Sequence, residues 1–171
     1  MAAGDVKLAY AASSNLTVTA LHSIATSSTW LGGWESGTID NTSNLYLDYM
    51  VTAAIALGNT AVAGEIRIYV VGTTDDTPTW PVPFDGTEST ETIGAVSLRD
   101  SHAKLLTSTL TRADPGTDDV YYLGPCSVAS LFGGVCPAKF VLFIAHSTGV
   151  NLAASGNQVT IKGVYSTVAQ S

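Results

Sequence analysis

Apolar and polar residues alternate with a period of two along most of this chain. Over residues 15–25, Leu16, Val18, Ala20 and Ile24 share one face, and Thr17, Thr19 and Ser23 share the other. Over 44–57, Leu45, Leu47, Tyr49, Val51, Ala53 and Ile55 line one face, opposite Tyr46, Asp48 and Thr52. Over 65–71, Ile66, Ile68 and Val70 alternate with Glu65, Arg67 and Tyr69. Alternation built from Thr, Val, Ile and Tyr predicts half-buried strands. Residues 91–98, with Ile93 and Val96 around Gly94, read as a bulged strand. Residues 103–112 read as a strand rich in Thr and Leu, and a further strand starts at 120–123. Between them, Asp114-Pro115-Gly116-Thr117-Asp118-Asp119 is a turn, because Pro presets φ and Gly tolerates positive φ. The continuous apolar run 140–146 marks a central strand covered on both sides. A last strand runs over 158–164.

About eight strands with this spacing predict an all-β fold, an antiparallel β-sandwich. A jelly roll and an immunoglobulin-like sandwich both use that many short strands. The long loop at 73–90 favours the jelly-roll-like arrangement. Helix signals are confined to 127–132, after Pro125, and to 98–106. No linker divides the chain, so residues 1–171 form one domain, with 1–14 as an extended N-terminal arm. The 73–90 loop holds three prolines and four acids. Long loops of this kind often carry function.

Composition narrows the function classes. Charged residues make up 12% of the chain, about half the usual share. Apolar residues make up 46%, with Thr (22) and Ser (17) supplying most of the polarity. That mixture excludes a disordered chain. The formal net charge of −7 and pI of 4.6 give no electrostatic footprint for nucleic acid or an anionic membrane. No apolar stretch is long enough for a membrane helix, and no export signal is legible at the N-terminus. Without export, Cys126 and Cys136 read as reduced thiols, the alternative being a disulfide closing a small loop.

Candidate chemistry is sparse. His22, His102 and His146 are not framed by a nucleophile motif, and they read as core or strand-end histidines. Asp75, Asp76, Asp85, Glu88 and Glu91 could serve a hydrolase or calcium, but lack either spacing, so they read as a solvated loop. The expectation is no enzyme, no cofactor and no metal. Trp30-Leu31-Gly32-Gly33-Trp34 places two indoles around a flexible glycine pair, and Trp80 sits beside Pro81. Such aromatics can cap the ends of a sandwich, anchor a protein interface or stack on sugars.

These segments resemble small structural proteins of tailed bacteriophages. The resemblance lies in Trp30-Leu31-Gly32-Gly33-Trp34-Glu35-Ser36 followed by Ile39-Asp40-Asn41-Thr42-Ser43-Asn44-Leu45-Tyr46-Leu47-Asp48-Tyr49. It extends to Glu65-Ile66-Arg67-Ile68-Tyr69-Val70-Val71-Gly72, Trp80-Pro81 with Phe84-Asp85-Gly86, the stretch 124–134 and the stretch 139–151. It covers most of residues 30–165. It implies a virion protein, assembled in the host cytoplasm, that decorates and cements the outer capsid. Its partners would be the major capsid protein and itself, as a homotrimer, with neither nucleic acid nor membrane. Trp30, Trp34, Trp80 and Phe84 are the expected contact residues. A tail or fibre component and a carbohydrate-binding module are the alternatives.

Overall fold

A computed structural model describes residues 6–60, 62–113 and 119–168. Its strands are β1 (Val6–Asn15), β2 (Gly32–Glu35), β3 (Ile39–Asp40), β4 (Asp48–Ala56), β5 (Gly64–Thr73) and β6 (Ser89–Thr92). A short helix, α1 (Val96–His102), precedes β7 (Lys104–Thr111) and β8 (Val120–Ser127). A single 3₁₀ turn (Ala129–Phe132) leads to β9 (Lys139–His146) and β10 (Gln158–Val168). The strands form two antiparallel sheets. The four-stranded sheet has the order β1-β10-β4-β8, and the six-stranded sheet the order β6-β2-β9-β5-β7, with β3 also paired to β9. With β2 and β3 counted as one strand and β6 set aside, the first strand lies beside the last in one sheet. The second lies beside the second-last in the other. This nesting is the two-Greek-key order of a jelly roll.

Alternation positions the core. Tyr49, Val51, Ala53 and Ile55 of β4 face inward, as do Ile66, Ile68 and Val70 of β5. They meet Phe140, Leu142 and Ile144 of β9 and Val159 and Ile161 of β10. The 140–146 run is central and covered on both sides, as its continuous apolarity predicts. Its other face, Val141, Phe143 and Ala145, enters a second cluster with Tyr69, Val71, Phe84, Ile93 and Ala103. Residues 74–103, apart from β6 at the sheet edge, therefore form a strap over the outer face of the six-stranded sheet. No equivalent strap covers the outer face of the four-stranded sheet among the described residues.

Four sequence expectations change. Residues 16–25 are irregular, with turns over 19–23, rather than a strand: Leu21 N–H donates to the Val18 carbonyl at 3.2 Å, and Ser23 adopts φ 60°. Leu21, which breaks the period of two, is the fully buried residue there. The expected arm is not free of the fold, since β1 begins at Val6 and pairs with β10. The strand expected over 44–57 starts only at Asp48, leaving Leu45 and Leu47 exposed. The strand expected over 91–98 ends at Thr92, and α1 follows. Residues 114–118 of the Asp-Pro-Gly turn lie outside the described residues.

Candidate interaction surfaces

Trp30 and Trp34, on either side of Leu31-Gly32-Gly33, sit in different places, Trp30 in a turn before β2 and Trp34 on the strand itself. Trp34 points between the sheets and is fully buried, with its Nε1–H donating to Glu88 Oε1 at 2.8 Å. The same carboxylate oxygen accepts the Ala20 N–H at 2.7 Å, so Glu88 ties the 16–25 segment to the core. Phe84 is also buried and meets Phe143 edge to face, with ring centroids 5.5 Å apart. Trp34 and Phe84 are thus core residues and not contact residues. Burial of their apolar area holds them there, Trp34 on the inner side of β2 and Phe84 against the outer face of β9.

Trp30 and Trp80 are half-buried and pack beside Phe84 against the outer cluster. Trp30 occupies a left-handed backbone conformation, φ 53°, which is uncommon for a bulky residue. Its N–H donates to the Ser27 carbonyl, and Ser27 Oγ accepts the N–H groups of Leu31 and Gly32. The Arg67 guanidinium lies 3.8 Å from the Trp30 ring centroid and pairs with Glu65 at 2.6 Å. That pairing holds the Glu65 carboxyl below its usual range. Arg99 extends the patch, donating to the Thr29 carbonyl at 2.7 Å and lying over the Tyr69 ring. The visible edge of Trp30 is therefore framed by arginines that are already engaged.

The strap is fastened by a carboxylate that sequence reasoning passed over. Glu35, next to Trp34, points out of the opposite side of β2 and is fully buried beneath the strap. It accepts the Gly86 N–H at 2.7 Å and the Asp85 N–H at 3.2 Å. Burial pushes its pKa from 4.5 to about 7, against the lowering effect of those two donors. Its only sequence signal is a charge at an alternating position beside a core tryptophan.

The remaining acids of the loop make separate local contacts, through the carboxylate at Asp85 and Glu91 and through the backbone at Asp75 and Asp76. Asp85 Oδ1 accepts the Thr87 N–H, Glu91 Oε1 accepts the Ser89 hydroxyl, and the Asp76 carbonyl accepts Lys139 Nζ. The Asp75 N–H donates to Thr73 Oγ1. Among the described residues, no group of three or more His, Cys, Asp or Glu could hold a metal ion. His146 is buried between Thr148 Oγ1 and the Ile24 carbonyl, and burial lowers its pKa. His22 Nδ1 lies 3.1 Å from Asn157 Nδ2, and His102 ends α1. Cys126 and Cys136 are both free thiols.

A further surface with exposed apolar side chains lies on the other sheet. Register places Val6, Leu8 and Tyr10 of β1 on the same outer face as Val168, Lys162 and Thr160 of β10 and Met50 and Thr52 of β4. Tyr122 of β8 joins them opposite Ala54. Val6, Leu8, Tyr10 and Tyr122 are 71%, 70%, 60% and 75% exposed. A shallow cleft walled by Tyr10, Met50 and Pro125, with Lys162 and Thr160 among its lining residues, opens on this face. The sequence pattern missed it because outward apolar residues alternate exactly as inward ones do.

The fold and its surfaces define a jelly-roll β-sandwich with one strapped sheet and one bare sheet whose outer face carries exposed apolar side chains among polar ones. No protein-family model, curated protein or solved structure matches the chain.

Proposed function

We propose that this chain is a virion structural protein of a tailed bacteriophage: a decoration protein that binds the outer capsid through the bare face of its four-stranded sheet. The supporting observation is that face, with Val6, Leu8, Tyr10 and Tyr122 all more than half exposed in a chain that is only 12% charged. Exposed apolar patches mark interaction sites, and this face carries two, Val6, Leu8 and Tyr10 on β1 and Tyr122 on β8 at the opposite edge. The resemblance of residues 30–165 to phage structural proteins supplies the kind of partner, the major capsid protein. Decoration needs no catalyst. It needs a stiff body and a sticky face, repeated in many copies so that modest contacts add up. A jelly roll covered on one sheet and bare on the other fits that task.

The carbohydrate reading loses its support. Trp34 is buried, and the Trp30 ring is already stacked by Arg67. A tail or fibre position would use the same face but in few copies per particle, so copy number separates it from decoration.

Co-sedimentation with decoration-free capsids tests the proposal. Wild-type protein should pellet with capsids and stay bound when salt is raised to about 1 M, because screening acts on charges. Tyr122→Asp should weaken binding roughly 30-fold, the loss expected on removing an aromatic anchor worth about 2 kcal/mol. Absence of wild-type binding, or a Tyr122→Asp protein that binds as well as wild type, sinks the reading.

A further inference from the structure

A sandwich with two open sheets has four edge strands, and this protein treats them unequally. β6 is only four residues long and carries Glu91. β7 is bulged, since its register against β5 slips by one residue between the Ile68–Thr107 and Tyr69–Leu105 pairs, and it packs against β8 at the corner of the sandwich. β8 is interrupted at Gly124-Pro125, where its register against β4 slips and Pro125 offers no N–H. Short length, charge, bulges and proline are the devices that stop an edge from pairing with another chain.

β1 has fewer of them. Its first five residues, Val6–Tyr10, pair with β10 in unbroken register, and the bulge comes only after Tyr10. The strand contains no proline, and Lys7 is its only charge. Half of the backbone N–H and C=O groups of an edge strand point away from the sheet and ask for a partner. Alternate side chains here, Val6, Leu8 and Tyr10, are also 71%, 70% and 60% exposed.

We propose that β1 pairs antiparallel with β1 of a second copy, joining two four-stranded sheets into one continuous sheet across a two-fold axis. The edge inventory selects this occupant. A ring of three would need two different open edges on each chain, and β1 is the one long open edge among the described strands, β3 being only two residues long. A two-fold pair uses the same edge twice. Charge agrees: each chain carries −7 overall, so most ways of bringing two copies together oppose acid with acid. Val6–Tyr10 brings only Lys7. In the register centred on Leu8, Leu8 faces Leu8 of the second copy, Val6 faces Tyr10, and Lys7 faces Ala9. No like charges then meet, and apolar cross-strand pairs line the outer face. This pairing stands apart from the capsid reading, because it uses the backbone edge and is tested without capsids.

The experiment is sedimentation equilibrium, or light scattering, on the purified full chain from about 5 to about 200 µM, since a five-residue edge predicts a modest affinity. The mass should rise from 17.7 kDa towards twice that value. Leu8→Lys and Leu8→Asp each place like charges opposite one another and should remain monomeric throughout the range. An equimolar mixture of the two should recover the doubled mass, because opposite charges then face across the axis. Thermal melts of both variants should match wild type, Leu8 being a surface residue. A wild type that stays at 17.7 kDa throughout, a trimeric mass, or a Leu8→Lys protein that dimerises as wild type does would each overturn the pairing.

Discussion

Replacing Trp34 by alanine separates a core role from a docking role by magnitude alone. The side chain is fully buried between the sheets, and its Nε1–H satisfies Glu88 at 2.8 Å. Large-to-small substitution of a buried aromatic costs about 3–5 kcal/mol through lost transfer energy and the remaining cavity. Loss of a hydrogen bond to a half-buried carboxylate adds about 1 kcal/mol, and Glu88 keeps its Ala20 donor. The expected loss is therefore about 4–6 kcal/mol, against a total stability of about 5–15 kcal/mol for a domain. At about 2–4 °C per kcal/mol for a chain this long, Tm should fall by about 8–24 °C. Trp34→Phe refills most of the volume but leaves Glu88 short of one donor, and should lose about a third as much. The assay is thermal and urea unfolding followed by far-UV circular dichroism. A Trp34→Ala protein melting within about 3 °C of wild type would refute the core assignment and return the indole to the surface.

Two further predictions concern buried ionisable groups. Glu35 has a folded pKa of about 7, above its usual 4.5, so between those values the folded protein holds a proton that the unfolded chain has released. Stability should therefore rise as pH falls from about 7 towards 4.5, by at most about 3 kcal/mol at 1.36 kcal/mol per unit, and by less where solvent screens the strap edge. Urea unfolding at pH 5 and pH 8 measures this, and Glu35→Gln should flatten that part of the profile; an unchanged slope in the variant defeats the assignment. The Cys136 thiol is buried and pushed up to about 12, so iodoacetamide should modify Cys126 well before Cys136 in the native protein, as read by peptide mass; equal rates would contradict the burial.

Much of the fold was legible in the sequence. The alternation in β4, β5 and β10 marks which residues face inward, and the unbroken run in β9 marks a strand covered on both faces. Local propensity and burial agree there, so pattern and structure coincide. The jelly-roll order is a less direct reading, since strand count leaves the pairing open and only the long-range contacts of β1 with β10 and β2 with β9 fix it. Tertiary structure alone decided three matters. It made residues 16–25 irregular, with turns over 19–23, because burying Leu21 and donating Ala20 N–H to Glu88 outweigh a weak alternation. It divided the tryptophans, because Trp34 lies on the inward side of β2 while Trp30 precedes that strand in a left-handed turn, φ 53°, that leaves its ring under Arg67. And it left Val6, Leu8, Tyr10 and Tyr122 uncovered. A period of two reports that one face is apolar, while only the packing of the 74–103 strap on the opposite sheet determines which apolar faces the chain can cover by itself.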